Sequence, residues 1–341
     1  MKKSTSFLVI SCVFSILMFG MTPFARTGSG AAKVYVDNAE GDNLTVIDPV
    51  TLKVAGNIRV GSKPHGLAAS PSRDRIYVSV ESTNRLLAID TTSHRILSQA
   101  EVGQTPNQVT VTADGKFVYV PLRGQAAVDI VDTSTMNVVR RVTLAEGPHN
   151  SYTSADGKRV YVTTIDGKKI FVFDPATQRV VSVIEPGGKV RPLALTKDGS
   201  LIYAALSELH GFVVIDLRQG KTIKRVELPP LPPGTPRPYL DTYTHGLALT
   251  PDEHELWVTS CPGAAVWVFS VPDLKRLARV DIGKFPNWLA FTPDGKRLFV
   301  TNTESDTVSA IDVGARKVLA TIPVGKAPKR IIFVEPPRRL D

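Results

Sequence analysis

An internal repeat of 42 residues constrains the fold of this chain more than any other feature. Pairs of an aromatic residue and a small apolar residue recur at intervals of 42, 42, 42, 42, 54 and 42 residues. The pairs are Tyr35-Val36, Tyr77-Val78, Tyr119-Val120, Tyr161-Val162, Tyr203-Ala204, Trp257-Val258 and Phe299-Val300. Asp-Gly turns precede four of these pairs. Units of about 40–45 residues with four short strands are typical of propeller blades, so the repeat predicts an all-β, seven-bladed β-propeller.

The ends of the repeat series predict how the ring of blades closes. The first recognisable strand, 33–38, corresponds to the second strand of a blade, and the last, 329–334, corresponds to a first strand. A closed ring has no open sheet edges, so we expect the C-terminal strand to join three N-terminal strands in the seventh blade. Residues 32–341 are therefore expected to form a single propeller domain with four-stranded blades.

The N-terminal segment 1–25 has the pattern of a secretory signal peptide. Lys2 and Lys3 precede an apolar run, 7–21, and small residues follow it. The run is shorter than the roughly 20 residues that span a bilayer, which disfavours a membrane anchor. We expect cleavage between about residues 25 and 32, a periplasmic or secreted mature protein, and no transmembrane span after cleavage.

Composition excludes several classes of protein. The 341 residues include two cysteines, of which only Cys261 remains after cleavage, so a disulfide scaffold and a cysteine-based zinc module are excluded. The formal net charge is +9, but no run of Lys and Arg exceeds two residues. The sequence therefore carries no specific nucleic-acid motif, although its charge permits acidic partners.

The last complete repeat carries a motif that is shared with a family of exported proteins. Phe299-Val300-Thr301-Asn302 differs by one residue from Tyr-Val-Thr-Asn, and it follows Thr-Pro-Asp-Gly-Lys-Arg at 292–297. Over residues 32–341 the chain resembles the YVTN family of seven-bladed β-propeller repeat proteins. The resemblance implies export and a kinship in architecture with the propellers of nitrous oxide reductase and of lactonase-like enzymes. It implies no particular activity, because one fold carries many functions.

Seven polar residues occupy one register at the start of the innermost strands, and we call them the channel ring. They are His65, Asn107, His149, Arg191, His245, Asn287 and Lys329. Innermost strands line the central channel of a propeller, so these side chains are expected to meet at one mouth. Three of the six histidines fall in the ring, and none of its members is acidic or apolar.

The histidines of the channel ring have two interpretations. In the structural one, the polar side chains bridge neighbouring blades through hydrogen bonds. In the other, His65, His149 and His245 are ligands of a copper or zinc ion, because neutral imidazole suits both metals and three histidines with an open position form a common catalytic centre. Cys261, on a loop of the same face, is either a weaker candidate as a soft copper ligand or a small buried residue.

A third interpretation of the channel ring rests on its two cationic residues. Arg191 and Lys329 predict a positive mouth that binds a small anionic ligand or an acidic protein segment. Asn107 and Asn287 belong to the same register and are candidate ligand-binding residues.

Loops on the same face extend the candidate site. One repeat is 12 residues longer than the others, and its insertion includes a proline-rich segment, 228–234. Tyr243 follows that insertion and His210 lies on a neighbouring loop, so we expect both to contribute to ligand binding. The acidic residues of these loops, including Asp37 and Glu81, are expected to be solvated charges.

Three functions remain open on the sequence alone. The first is an exported binding or scaffold protein with a ligand or partner site at the histidine-rich mouth. The second is a metal-dependent enzyme, with copper as the expected metal and the three ring histidines as ligands. The third is a lactonase- or lyase-like enzyme that uses a channel histidine as acid or base beside Arg191. No phosphate-binding glycine loop, Gly-x-Ser-x-Gly elbow or haem-attachment motif occurs in the sequence.

Overall fold

The protein is a ring of seven four-stranded antiparallel sheets. The computed structural model describes residues 31–236 and 240–337, and the predicted signal peptide, 1–25, lies outside the described residues. Within those two ranges, one short 3-10 turn, Thr303–Ser305, is the only helical element. No helix in the described part of the chain is long and apolar enough to cross a membrane. The seven-bladed propeller that the repeat predicts is confirmed.

Each blade is one repeat, with its first strand beside the channel and its fourth at the outside. Blade 1 contains β4 (Pro64–Ala69), β5 (Arg75–Val80), β6 (Arg85–Asp90) and β7 (Ile96–Glu101). Blade 2 contains β8 (Thr110–Val111), β9 (Phe117–Leu122), β10 (Ala127–Asp132) and β11 (Asn137–Thr143). Blade 3 contains β12 (Pro148–Thr153), β13 (Val160–Thr164), β14 (Ile170–Asp174) and β15 (Arg179–Ile184).

The remaining blades repeat this order. Blade 4 contains β16 (Val190–Leu195), β17 (Leu201–Leu206), β18 (Gly211–Asp216) and β19 (Lys221–Glu227). Blade 5 contains β20 (Leu247–Leu249), β21 (Glu255–Ser260), β22 (Ala265–Ser270) and β23 (Arg276–Asp281). Blade 6 contains β24 (Pro286–Phe291), β25 (Arg297–Asn302), β26 (Thr307–Asp312) and β27 (Lys317–Pro323). Blade 7 contains β28 (Pro328–Val334), β1 (Lys33–Asn38), β2 (Asn43–Asp48) and β3 (Lys53–Arg59).

The aromatic residues of the repeat fill the space between neighbouring sheets. All seven are at most 5% exposed, and burial of such a side chain contributes roughly 1.5–3 kcal/mol. Tyr119 of blade 2, for example, meets Phe173 of blade 3 edge to face, with the ring centroids 5.6 Å apart. The blades are thus held together by the same residues that define the repeat in the sequence.

The Asp-Gly turns join the first and second strands on the face opposite the channel ring. In blade 2, Asp114 accepts hydrogen bonds from the Thr112 hydroxyl at 2.6 Å and from the Lys116 backbone N–H at 3.1 Å. Gly115 has a φ of 74°, a conformation that glycine adopts without strain. These turns leave the other face free for the longer loops and the channel mouth.

The C-terminal strand closes the ring, as the repeat series predicts. In blade 7, β28 pairs with β1, with Tyr35 opposite Ile332. The Asp37 carboxylate reinforces this pairing, because it accepts hydrogen bonds from the backbone N–H groups of Lys329 at 3.2 Å and Arg330 at 2.7 Å. Asp37 is fully buried, so the expectation that it is a solvated charge is wrong.

Deletion of 328–341 is expected to open the ring. Without β28, blade 7 loses its innermost strand, and the edge of β1 is left unpaired and ready to aggregate. We expect a Tm at least about 10 °C lower or irreversible aggregation, measured by differential scanning calorimetry and size-exclusion chromatography. Deletion of 338–341 alone keeps β28 and serves as the control. If the protein without residues 328–341 stays monomeric and keeps the parental Tm, β28 does not close the ring.

Candidate functional site

A β-bulge at the start of the innermost strand places the ring residue at the channel mouth. In blade 1, Pro64 pairs with Val80 and Gly66 pairs with Ser79, so the pairing skips His65. Similar register shifts skip the ring residue in blades 3, 4, 6 and 7. A bulge re-aims the side chain of the extra residue, which here turns it toward the channel. Lys329 is half-buried, and the other six ring residues are buried.

The ring residues are close enough to shift one another's pKa values. Burial holds the pKa of His149 well below its usual range, and the charges of Arg191 and Arg330 and the neighbouring histidines His65 and His245 act in the same direction. His245 shows the same direction of shift, first from burial and then from the cations. Both imidazoles are therefore neutral at physiological pH.

His65 and Glu81 form a contact at one side of the mouth. Nδ1 of His65 lies 2.9 Å from the carboxylate of Glu81, and the Arg123 guanidinium lies 4.0 Å from the same carboxylate. Burial lowers the pKa of His65 to about 4, although the bond to Glu81 opposes this shift. Burial raises the pKa of Glu81, but the bond from His65 and the nearby positive charges, including Arg123 and Lys329, together outweigh it, and the result is about 2. In the neutral form of His65, Nδ1 and not Nε2 therefore faces the charged Glu81, which is largely shielded from solvent.

Arg191 ties the long insertion to the opposite side of the mouth. Its Nε donates to the Ser207 hydroxyl at 2.7 Å, and an Nη donates to the carbonyl of Leu240 at 2.8 Å. Burial lowers the pKa of Arg191 to about 10, so the guanidinium keeps its charge at neutral pH. The end of the insertion is thus bonded directly to a member of the channel ring.

His210 and Tyr243 lie next to each other on the same face. Their ring centroids are 6.4 Å apart, and Nε2 of His210 is 2.8 Å from the Ser260 hydroxyl. The backbone N–H of Tyr243 donates to the carbonyl of Ser207, the residue whose hydroxyl accepts from Arg191. The structure therefore brings both predicted loop residues to the Arg191 side of the mouth.

Cys261 is a buried thiol rather than a free thiolate. Its Sγ donates to the carbonyl of Pro286 at 3.4 Å, and burial raises the pKa of the thiol to about 12. A metal ligand must be deprotonated, so this environment favours the structural interpretation of Cys261. Among residues 31–236 and 240–337, no group of three or more His, Cys, Asp or Glu side chains is arranged to hold a metal ion. The copper or zinc centre stays a prediction with no support from the geometry.

Sequence reasoning missed Arg330, which occupies the channel itself. It follows Lys329 directly and is 1% exposed. One Nη donates to the side-chain oxygens of Asn107 at 3.3 Å and Asn150 at 3.1 Å, and the guanidinium lies 4.3 Å from the ring centroid of Trp288. The mouth therefore has a cationic floor beneath the ring residues. The position after each ring residue has no shared residue type in the seven blades, so the repeat gives no signal for Arg330.

The fold and this polar mouth define a propeller with a solvent-shielded site on its axis. The profile of the family described as Lactonase, 7-bladed beta-propeller matches residues 43–321, and the chain belongs to this family. No curated protein matches the sequence.

Solved structures share the fold at low sequence identity. The Kuenenia stuttgartiensis hydrazine synthase is 21% identical with a TM-score of 0.73, and the match covers 86% of this chain and 99% of that one. The Pseudomonas aeruginosa periplasmic gluconolactonase PpgL is also 21% identical with a TM-score of 0.73, over 90% of this chain and 99% of that one. A functionally unknown protein from Desulfotomaculum acetoxidans is 12% identical with a TM-score of 0.76, over 89% of this chain and 99% of that one.

Acidification from pH 7 to pH 4 is expected to destabilise the protein through the ring histidines. Burial lowers the pKa of all three in the folded state, to about 4 for His65, whereas unfolded histidine takes up a proton near 6.5. The unfolded state then binds more protons, and each histidine adds a slope of up to about 1.4 kcal/mol per pH unit below pH 6.5. Asp37 opposes this effect, because burial raises its pKa to about 7.

The contribution of one histidine is isolated by comparing variants. His149→Gln is expected to make the fall of Tm with pH shallower, measured by differential scanning fluorimetry in matched buffers. His254→Gln alters an exposed histidine on the opposite face and is expected to keep the parental slope. Identical slopes for the parent and His149→Gln would show that His149 is not held neutral in the folded protein.

Proposed function

We propose that the protein is a periplasmic or secreted lactone hydrolase with its active site at the channel mouth. The observation that carries this proposal is the His65–Glu81 contact, 2.9 Å long and shielded from solvent, within the electrostatic reach of Lys329. A neutral histidine that is oriented by a carboxylate is the usual arrangement of a general base. Membership of the lactonase family and the similarity in fold to a periplasmic gluconolactonase support the choice of reaction.

His65 is suited to the activation of water. Its Nδ1–H faces Glu81, which leaves Nε2 to accept a proton from a water molecule as the water oxygen attacks the lactone carbonyl. Collapse of the tetrahedral intermediate breaks the bond to the ring oxygen, which takes the proton back from Nε2, and the product is an open-chain hydroxy acid. Glu81 stabilises the transient imidazolium, and the positive mouth stabilises the negative charge that develops on the carbonyl oxygen.

Hydrolysis of glucono-δ-lactone, followed with a pH indicator above the spontaneous rate, tests the proposal. We expect the parent to accelerate the reaction and both His65→Gln and Glu81→Gln to lower kcat by about 10²–10⁴-fold, because each removes part of the base. His254→Gln is the matched control, since that histidine is exposed on the opposite face. Circular dichroism confirms that each variant is folded.

Three results would contradict the proposal, and each favours a different alternative. Full activity of His65→Gln would remove this histidine from the mechanism. Loss of parental activity on exhaustive chelation, with recovery on addition of copper or zinc, would favour the metal-dependent enzyme. Binding of lactones without turnover by the parent would favour the exported binding protein.

A further inference from the structure

The guanidinium of Arg330 is a buried cation that no carboxylate of the described residues contacts. The residue is 1% exposed, and no carboxylate of the described residues forms an ion pair with its guanidinium within 4.0 Å. Two carboxyl groups act on it electrostatically but have other contacts: Asp37 accepts from the backbone N–H groups of Lys329 and Arg330, and Glu81 contacts His65. Arginine does not discharge in proteins, so a buried guanidinium without an anion is costly. Burial accordingly lowers the pKa of Arg330, although the charges of Asp37 and Glu81 oppose this shift.

Three buried hydrogen-bond donors around this cation have no partner among the described residues. They are Nε of Arg330 and the side-chain nitrogens of Asn107 and Asn150. The two amides are in direct contact with the guanidinium through their oxygens, so all three donors belong to one cluster. An unsatisfied buried donor is destabilising, and a cluster of three beside a fixed positive charge favours an acceptor that carries negative charge.

Trp288 and the two asparagines leave one edge of the Arg330 guanidinium without a partner. The indole covers one face of the guanidinium at 4.3 Å, and one Nη is already used by the two asparagine oxygens. The edge that carries Nε keeps an unused donor. Carboxylates bind guanidinium groups through such edges, in the plane of the group.

We propose that Arg330, Asn107 and Asn150 form a binding site for the carboxylate of a small hydroxy acid on the floor of the channel mouth. The site extends the proposed function. The identification of the acid as a product of lactone hydrolysis rests on that proposed function. In that reaction the carbonyl oxygen of the lactone becomes a carboxylate oxygen of the product. A site that prefers this oxygen when it is charged stabilises the transition state more than the neutral substrate.

Isothermal titration calorimetry with D-gluconate tests the site directly. D-Glucitol has the same chain of hydroxyl groups without the carboxylate, and sulfate is an anion without the chain. We expect gluconate to bind the parent at least tenfold more tightly than glucitol, and sulfate to compete with it. Equal binding of gluconate and glucitol, or no binding of any of the three, would overturn the proposal. Binding of sulfate alone would reduce the site to one for inorganic anions and contradict the assignment to a hydroxy acid.

Arg330→Met is expected to weaken gluconate binding about tenfold to a hundredfold, the effect of losing a charge-assisted hydrogen bond. Arg276→Met is the matched control, because Arg276 also lies over an indole, 5.4 Å from the Trp267 centroid, but on the outside of blade 5. The control is expected to keep the parental affinity. Parental affinity in a folded Arg330→Met variant would overturn the assignment.

The Asn150→Asp variant provides a second test of the anion site, which can be used if the Arg330→Met variant does not fold. The substitution puts a carboxylate where an amide oxygen now lies 3.1 Å from the guanidinium. The buried cation then has an internal anion, so we expect a higher Tm together with at least a tenfold loss of gluconate affinity. A higher Tm with unchanged affinity would show that Arg330 has a structural role only.

Failure of this inference is distinguishable from failure of the proposed function. Binding of gluconate that depends on Arg330, without hydrolysis of glucono-δ-lactone, supports the anion site and contradicts the hydrolase. Hydrolysis that depends on His65 but not on Arg330, without gluconate binding, supports the hydrolase and contradicts the anion site.

Discussion

The pairing of the C-terminal strand with the N-terminal strand is the interaction on which the rest of the structure depends. It closes the ring, and it also delivers Lys329 and Arg330 to the channel, because both residues lie on β28. Asp37 of β1 accepts from the backbone of both residues and so connects the closure of the ring to the position of its cations. The closure of the ring and the position of two cations at the channel mouth therefore depend on the same strand pairing.

The mouth combines charges that are fixed with imidazoles that stay neutral. Burial and the nearby cations hold the ring histidines in the unprotonated form, which suits them as proton acceptors and hydrogen-bond partners. Arginines keep their charge in the same environment. This division of roles explains how positive groups and neutral histidines occupy one small region, and it supports the proposal of an anionic ligand.

Most of the fold was predictable because each blade is encoded locally. The aromatic pair specifies the buried second strand, the Asp-Gly turn specifies the hairpin before it, and the two incomplete ends of the series specify the closure. The channel ring was predictable for the same reason, since its members recur at the blade spacing. The loop residue Glu81 was not, because its contact with His65 depends on the antiparallel pairing of Pro64 with Val80, which brings the end of β5 to the start of β4.

Arg330 escaped prediction for a geometrical reason. In a regular strand the residue after Lys329 points away from the channel, because side chains alternate between the two faces. The bulge in blade 7 breaks this alternation, and both consecutive residues serve the mouth. The position after the ring residue also carries no shared residue type: it is Gly66, Gln108, Asn150, Pro192, Gly246, Trp288 and Arg330 in the seven blades.

Anomalous diffraction from crystals soaked in bromide tests most directly whether the channel mouth is an anion site built around an unpaired arginine. We expect a bromide peak within hydrogen-bond distance of Nε of Arg330 and of the side-chain nitrogens of Asn107 and Asn150, and we expect D-gluconate to displace this peak. An empty mouth in crystals with bromide bound elsewhere, or a peak at the mouth that gluconate leaves in place, would contradict the proposed anion site.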